Sequence, residues 1–153
     1  MANTYTQLLI QFLFAVKHRE SKINESIREP LEKYITGVAQ NNNHKMLAIY
    51  CIPDHCHIFL GLHPMQSVSE AARDIKSNSS KWLNDQKKLH TKFNWQEGYG
   101  AFSYSKSQMK TVINYVLNQP EHHKKRTFKE EYRDFLVKFN IQHDDQYLFD
   151  WID

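Results

Sequence analysis

Two apolar runs of strand length, KMLAIYCI at 45–52 and HCHIFLGL at 55–62, are separated only by Pro53-Asp54. A proline-led turn of that length leaves such runs one compact arrangement, an antiparallel hairpin. Side chains alternate across a strand, so His55 and His57 share one face while Cys56 points to the other. Cys51 falls opposite Cys56 on that second face, where two reduced thiols pack as small hydrophobes. Apolar residues would fill the histidine face without the cost of desolvating polar rings, so the paired imidazoles call for a reason.

The remaining elements fall into place around the hairpin. YTQLLIQFLFAV at 5–16 is rich in aromatic and branched residues and reads as a first strand, closed by the charged KHRE. Ser26 and Glu29 form an S-x-x-E capping box opening a helix with Ile27, Leu31, Tyr34, Ile35 and Val38 at helical spacing. Pro30 sits in its first turn and the asparagines at 41–43 end it. Ser67 and Glu70 open a second helix carrying Val68, Ala71, Ala72, Ile75, Trp82 and Leu83. A loop from 93 leads to a short strand near 101–104. Ser105 and Gln108 cap a third helix over about 106–119, stopped by Pro120. Thr127 and Glu130 cap a fourth over about 128–139. The order β-α-β-β-α-β followed by two helices predicts an α+β fold. It is a ferredoxin-like antiparallel sheet with helices packed on one face plus C-terminal helices, in a single domain spanning 1–153.

Composition excludes several classes. Net charge is +3, too small for a charge-driven DNA packager yet leaning toward polyanions. Two cysteines do not make a disulfide scaffold, and LLIQFLFAV is too short to cross a bilayer, which needs ~20 apolar residues. The expectation is a cytoplasmic chain with no membrane partner.

Two neutral imidazoles at i and i+2 of a strand can supply two ligands to one divalent ion, or can be hydrogen-bonded histidines of the interior. A third ligand would decide. In the third helix Met109, Val112, Ile113, Val116 and Leu117 form the apolar stripe, which leaves Tyr115 and Gln119 together on the polar flank. A phenol can attack phosphorus when a nearby cation polarises the phosphate, and an amide oxygen can complete that cation's ligands. A surface tyrosine and glutamine on an amphipathic helix would show the same spacing.

These residues in this order resemble the single-tyrosine HUH transposases of small bacterial insertion sequences, the IS200-like family. HCH at 55–57 matches the His-hydrophobic-His signature and YVLNQ at 115–119 the tyrosine with glutamine four residues on. SSKW, WQEGYGAFSYS and NQPEHHKKRTFKEEYRDFL look like the family's connecting and closing segments, so the resemblance runs from Tyr5 to the C-terminus. It implies a bacterial DNA transposase that cuts and rejoins single-stranded DNA, with hairpin ends, through a 5′-phosphotyrosine. It implies Tyr115 as nucleophile and His55, His57 and Gln119 as ligands of Mg²⁺ or Mn²⁺. It also implies a homodimer in which one subunit's tyrosine helix docks on the other's histidine strand.

For such an enzyme Lys17, Arg19, Arg73, Lys76, Lys81 and the run His122, His123, Lys124, Lys125 and Arg126 are candidate phosphate contacts, although each also reads as ordinary solvated charge. Asp54 reads as a turn residue that could also orient His55. Trp82 and Trp95 read as anchors to the core. Two rival functions remain open on sequence: a domesticated copy that binds single-stranded DNA or a hairpin without cutting, and a metal-dependent phosphodiesterase using water.

Overall fold

The computed structural model describes residues 3–142, and the side chain of Arg19 falls outside the described set. Four strands, β1 (Leu9–Ala15), β2 (Lys45–Ile52), β3 (His55–Gly61) and β4 (Gly100–Tyr104), form one sheet in the order β2-β3-β1-β4. Every neighbouring pair is antiparallel. The hairpin turns at Pro53-Asp54, with Ile52 opposite His55 and Cys51 opposite Cys56. Both cysteines are free and buried. The first strand is shorter than the apolar run that encodes it. Leu9, opposite Gly61 and Tyr104, is the first residue paired on both sides; before it the Leu8 carbonyl accepts from the Leu62 amide at 2.7 Å, and Tyr5 stays exposed.

Among the described residues five α-helices accompany the sheet: α1 (Glu25–Asn41), α2 (Val68–Gln86), α3 (Met109–Leu117), the single turn α4 (Gln119–His122) and α5 (Phe128–Lys138). The serine and threonine boxes of α2 and α5 form as the sequence predicts, and Ser105 with Gln108 caps the 3-10 turn that leads into α3. The expected Ser26–Glu29 box does not open α1. Asn24 caps it instead, its side chain accepting from the Ile27 amide, so the helix starts earlier and Pro30 lies inside it. Asparagine caps as well as serine does, and the earlier start places Glu25 in the first turn, where its charge meets the helix dipole favourably.

The two faces of the sheet bury different layers. Phe12, Phe14, Cys51, Cys56, Ile58 and Leu60 face α1 and α2 in the larger core. The opposite face carries His55 and His57 and is covered by the C-terminal helices. There α5 packs Phe128, Tyr132, Phe135 and Leu136 on Leu13 and Phe102, while α3 packs Val112 and Val116 on Leu9 and Phe59. The histidine pair is therefore roofed by the two elements that bring in the remaining site residues. Trp95 donates to Ser79 Oγ at 2.8 Å and Trp82 stacks on Tyr34 at 4.9 Å, so both tryptophans serve the core as expected. No described helix is long and apolar enough to cross a membrane.

The seating of α5 depends on one glycine. A Cβ on Gly100 would lie 2.9 Å from Tyr132 Oη and 3.1 Å from Tyr132 Cε2, inside van der Waals contact with a buried ring. Gly100→Ala is expected to lower unfolding stability by about 1–3 kcal/mol through overpacking, read as a lower urea midpoint at unchanged slope.

Candidate active site

His55 and His57 are almost fully buried, at 1% and 0% exposure. Each is held at the back by a partner. Asp54 Oδ1 lies 2.6 Å from His55 Nδ1, so the turn residue also orients the ring. Gln11, on β1, places its amide nitrogen 3.1 Å from His57 Nδ1, and its amide oxygen accepts from Tyr104 Oη at 2.7 Å. A side-chain partner on one ring nitrogen fixes the orientation of the other, which here faces inward.

Two residues of the C-terminal segment meet these rings. Glu131, on α5 and 0% exposed, puts Oε1 3.1 Å from His57 Nε2 and 3.9 Å from His55 Nε2. His123 Nε2 lies 3.2 Å from His55 Nε2 and 3.4 Å from Glu131 Oε1. Donor atoms of His55, His57, His123 and Glu131 all fall within 4.8 Å of one another, a spacing at which they can converge on one cation. Burial works to raise the Glu131 pKa, but His57 and hydrogen bonds from His123, His57 and Tyr115 outweigh it and hold the carboxyl well below its usual range.

Tyr115 joins the cluster from α3. Its hydroxyl donates to Glu131 Oε2 in a short contact and accepts from Arg126 Nη2 at 3.1 Å. Its ring stands 6.0 Å from His57 and stacks on His122 at 4.4 Å. Burial and the adjacent carboxylate push the phenol well above its ordinary value, with Arg126 opposing them. Arg126 is further tied to Asp134 on α5. The resemblance implies a Tyr115 that crosses to a partner's histidines. In the described chain the phenol meets its own.

Gln119 departs from its predicted position on a polar flank. Because α3 stops at Leu117 and Pro120 starts the new turn α4, Gln119 rotates inward to 0% exposure and Leu117 turns half outward. Its amide nitrogen donates to the Tyr115 carbonyl at 3.1 Å, and its amide oxygen is buried without a hydrogen-bond partner among the described residues. An orphaned buried acceptor costs about 1–3 kcal/mol, a cost that a donor or cation bound to it would remove.

The candidate phosphate contacts separate into distinct surroundings. His122 and His123 lie inside the site, against Tyr115 and His55, instead of on an outer phosphate patch. Lys124 and Lys125 are exposed beside them, Lys124 paired with Glu121 at 3.2 Å. Lys76 donates to the carbonyls of Gln96, at 2.8 Å, and Gly98, and burial lowers its pKa to about 8. It pins the loop before β4. Lys81 pairs with Asp85 on the surface of α2. Lys17 and Arg73 are exposed and border clefts around Trp95. The Arg19 side chain lies outside the described residues.

The fold agrees with what the chain is similar to. The family described as Transposase IS200 like matches residues 4–119. This chain belongs to the IS200-like transposase family. The transposase for insertion sequence element IS200 from Salmonella typhimurium is 26% identical over 129 residues, covering 81% of this chain and 84% of that protein. The ISDra2 transposase TnpA of Deinococcus radiodurans is 20% identical over 118 residues, covering 74% and 84%. Among solved structures, one described as a transposase from Deinococcus radiodurans superposes with a TM-score of 0.63 at 18% identity, over 78% of this chain and 95% of that one. A REP-associated tyrosine transposase bound to a REP hairpin gives 0.59 at 16% identity, over 80% and 73%. The matched segment of this transposase ends at Gln119, so His123, Arg126 and Glu131 lie beyond it.

His55 makes acid a stress on this fold. Burial pushes its pKa from 6.5 down to about 4, with Asp54 opposing. Between those values the unfolded chain binds a proton that the folded chain refuses, so this stability is complete above the upper value and is lost as pH falls toward the lower. The loss from pH 7 to pH 5 is about 2 kcal/mol, read as a falling urea midpoint in chelator.

Proposed function

We propose that this transposase cuts and rejoins single-stranded DNA by attack of Tyr115 Oη on a phosphodiester, leaving a 5′-phosphotyrosine and a free 3′-OH. The observation that carries the reading is the sharing of Glu131, which binds the Tyr115 hydroxyl through one oxygen and His57 through the other. A nucleophile placed one carboxylate away from a cluster of inward imidazole nitrogens is arranged for metal-assisted phosphoryl transfer.

His55, His57, His123 and Glu131 would hold the cation, with the unpartnered Gln119 oxygen available to it. When bound, a divalent ion supplies Lewis-acid charge that polarises the scissile phosphate and offsets the charge of Glu131. Three imidazoles and a carboxylate suit Mn²⁺ better than Mg²⁺, which prefers an all-oxygen shell. Without that charge the site resists phenol ionisation, since burial and Glu131 both favour the protonated form. During attack the phenolic proton passes to Glu131 Oε2, which returns it to solvent, while Arg126 steadies the negative oxygen and the departing O3′ takes a proton from solvent in exchange. Rejoining reverses these steps. Lys124 and Lys125, at the mouth of the site, would hold flanking phosphates. The hairpin carried by the REP-associated neighbour makes hairpin-ended DNA the first substrate to try. Pairing of two chains, which the resemblance implies, is not needed to complete this site.

The test is a denaturing gel of protein incubated with labelled single-stranded DNA and Mn²⁺. The expected result is a covalent adduct with the parent, none with Tyr115→Phe and none in chelator. Equal cleavage by both proteins would identify a water-using phosphodiesterase, and binding without cleavage a domesticated DNA-holding copy. Either outcome overturns the proposal.

A further inference from the structure

A cavity of about 320 Å³ opens between α3 and α5 on the far side of Tyr115 from His55 and His123. Its walls include Tyr115, Tyr104 and Phe135, and Arg126 and Lys138 contribute cations, Arg126 being paired with Asp134 on the same wall. Lys138 already lies 5.9 Å from the Tyr104 ring centre. A second cavity of about 410 Å³ has a more polar character, with Lys124, Lys125 and Arg126 outnumbering the carboxylates of Asp54 and Glu130 beside His55 and His123. Arg126 borders both and also donates to the Tyr115 hydroxyl, so it links the nucleophilic oxygen of the first cavity to the second.

Resting on the transposase reading above, we infer that the aromatic cavity receives the unpaired base of the nucleotide immediately 3′ of the scissile phosphate. The basic cavity then takes the strand's phosphates. Three observations favour that occupant. The volume lies at the small end of ligand clefts, ~300–1,000 Å³, room for one nucleotide unit. Aromatic side chains with cations beside them recognise a base attached to a phosphate, by ring contact within and charge at the edge. The choice of flank follows from in-line displacement. The attacking and departing oxygens lie on opposite sides of phosphorus, so the departing nucleotide points away from Tyr115. The retained nucleoside lies beside the attack axis. A cavity that has Tyr115 as a wall can reach only the retained one, which stays bound while the cut strand waits to be rejoined.

The experiment starts from a pool of single-stranded oligonucleotides with Mn²⁺, from which the adduct is isolated and its cleavage position mapped. That oligonucleotide is then made with an abasic residue on the 3′ flank or the 5′ flank. Loss of the 3′ base is expected to lower the adduct-forming kcat/KM about 10-fold or more, the size of a lost base–aromatic stack, and loss of the 5′ base to change it little. Phe135→Leu keeps an apolar residue on α5 but removes an aromatic side chain. It should lower kcat/KM on the intact strand by a similar factor and cause no further loss on the strand lacking the 3′ base. As a readout independent of reaction, 2-aminopurine at that position should be quenched on binding to Tyr115→Phe and less so when Phe135→Leu is added. Equal reaction of intact and 3′-abasic strands, or the same Phe135→Leu loss on both, overturns the inference while the adduct stands. Absence of an adduct from every strand would instead overturn the transposase reading beneath it.

Discussion

Glu131→Gln is expected to lower Mn²⁺ affinity about 100-fold, comparable to the larger losses seen when groups supporting a metal site are removed. The same change should slow adduct formation by ~10²–10⁴, the range attributed to a positioned proton acceptor. The substitution keeps size and hydrogen-bonding capacity but deletes the only carboxylate in the metal cluster. Both effects come from one side chain because its oxygens are divided, Oε1 toward His57 and His123 and Oε2 toward Tyr115. Calorimetric titration with Mn²⁺ reads the first effect and the rate of adduct formation the second.

A third measurement separates those roles. Glu131 helps to hold the Tyr115 phenol above its ordinary pKa, so its neutralisation should let the phenol ionise at lower pH. Phenolate absorbance, compared between Glu131→Gln and the double variant with Tyr115→Phe, isolates that hydroxyl from the other tyrosines. Tyr115→Phe alone should bind Mn²⁺ like the parent, since the phenol bonds to Glu131 Oε2 and leaves Oε1, the oxygen facing His57 and His123, in place. Unchanged Mn²⁺ affinity in Glu131→Gln would remove Glu131 from the metal site and leave it as a proton acceptor only.

Much of this arrangement is legible in the chain, and the parts that are not depend on tertiary packing or on a helix break. Period-two alternation places His55 and His57 together and Cys51 against Cys56, because a two-residue turn fixes register. The capping boxes of α2 and α5 need only neighbours three residues apart. Glu131 gives no such local signal. In TFKEEY it follows the capping Glu130 and reads as another solvent-facing charge, and only packing of α5 across Leu13 and Phe102 turns it into the site. His123 is hidden likewise in a basic run. One clue was available: Phe128, Tyr132, Phe135 and Leu136 set the buried side of α5, and Glu131 sits at i+3 from Phe128 and one turn before Phe135, on that side. Gln119 fails for the opposite reason. A helical wheel carried through Leu117 assigns it to the polar flank, whereas the break before Pro120 resets the rotation.

Chains carrying Tyr115→Phe and chains carrying His57→Ala, co-expressed and purified together through separate tags, are expected to form no adduct beyond the trace given by either alone. If the tyrosine helix served a partner's histidines, a mixed pair would rebuild one complete site and recover activity. The connections around α3 argue against that exchange. Between the end of β4 at Tyr104 and the start of α3 at Met109 there is only the capped 3-10 turn. Beyond α3 the chain passes through the single turn α4 and residues 123–127 into α5, and no glycine follows Gly100 anywhere in the sequence. Neither connection to α3 therefore holds a glycine to supply the backbone freedom of a swinging helix. Moving α3 would also uncover Val112 and Val116 from Phe59 and break the Tyr115 contacts to Glu131 and Arg126. Exposing two buried valines alone costs roughly 3–6 kcal/mol. Recovery of adduct in the mixed preparation would show that chains exchange this helix despite that cost, and would place the working site between two copies.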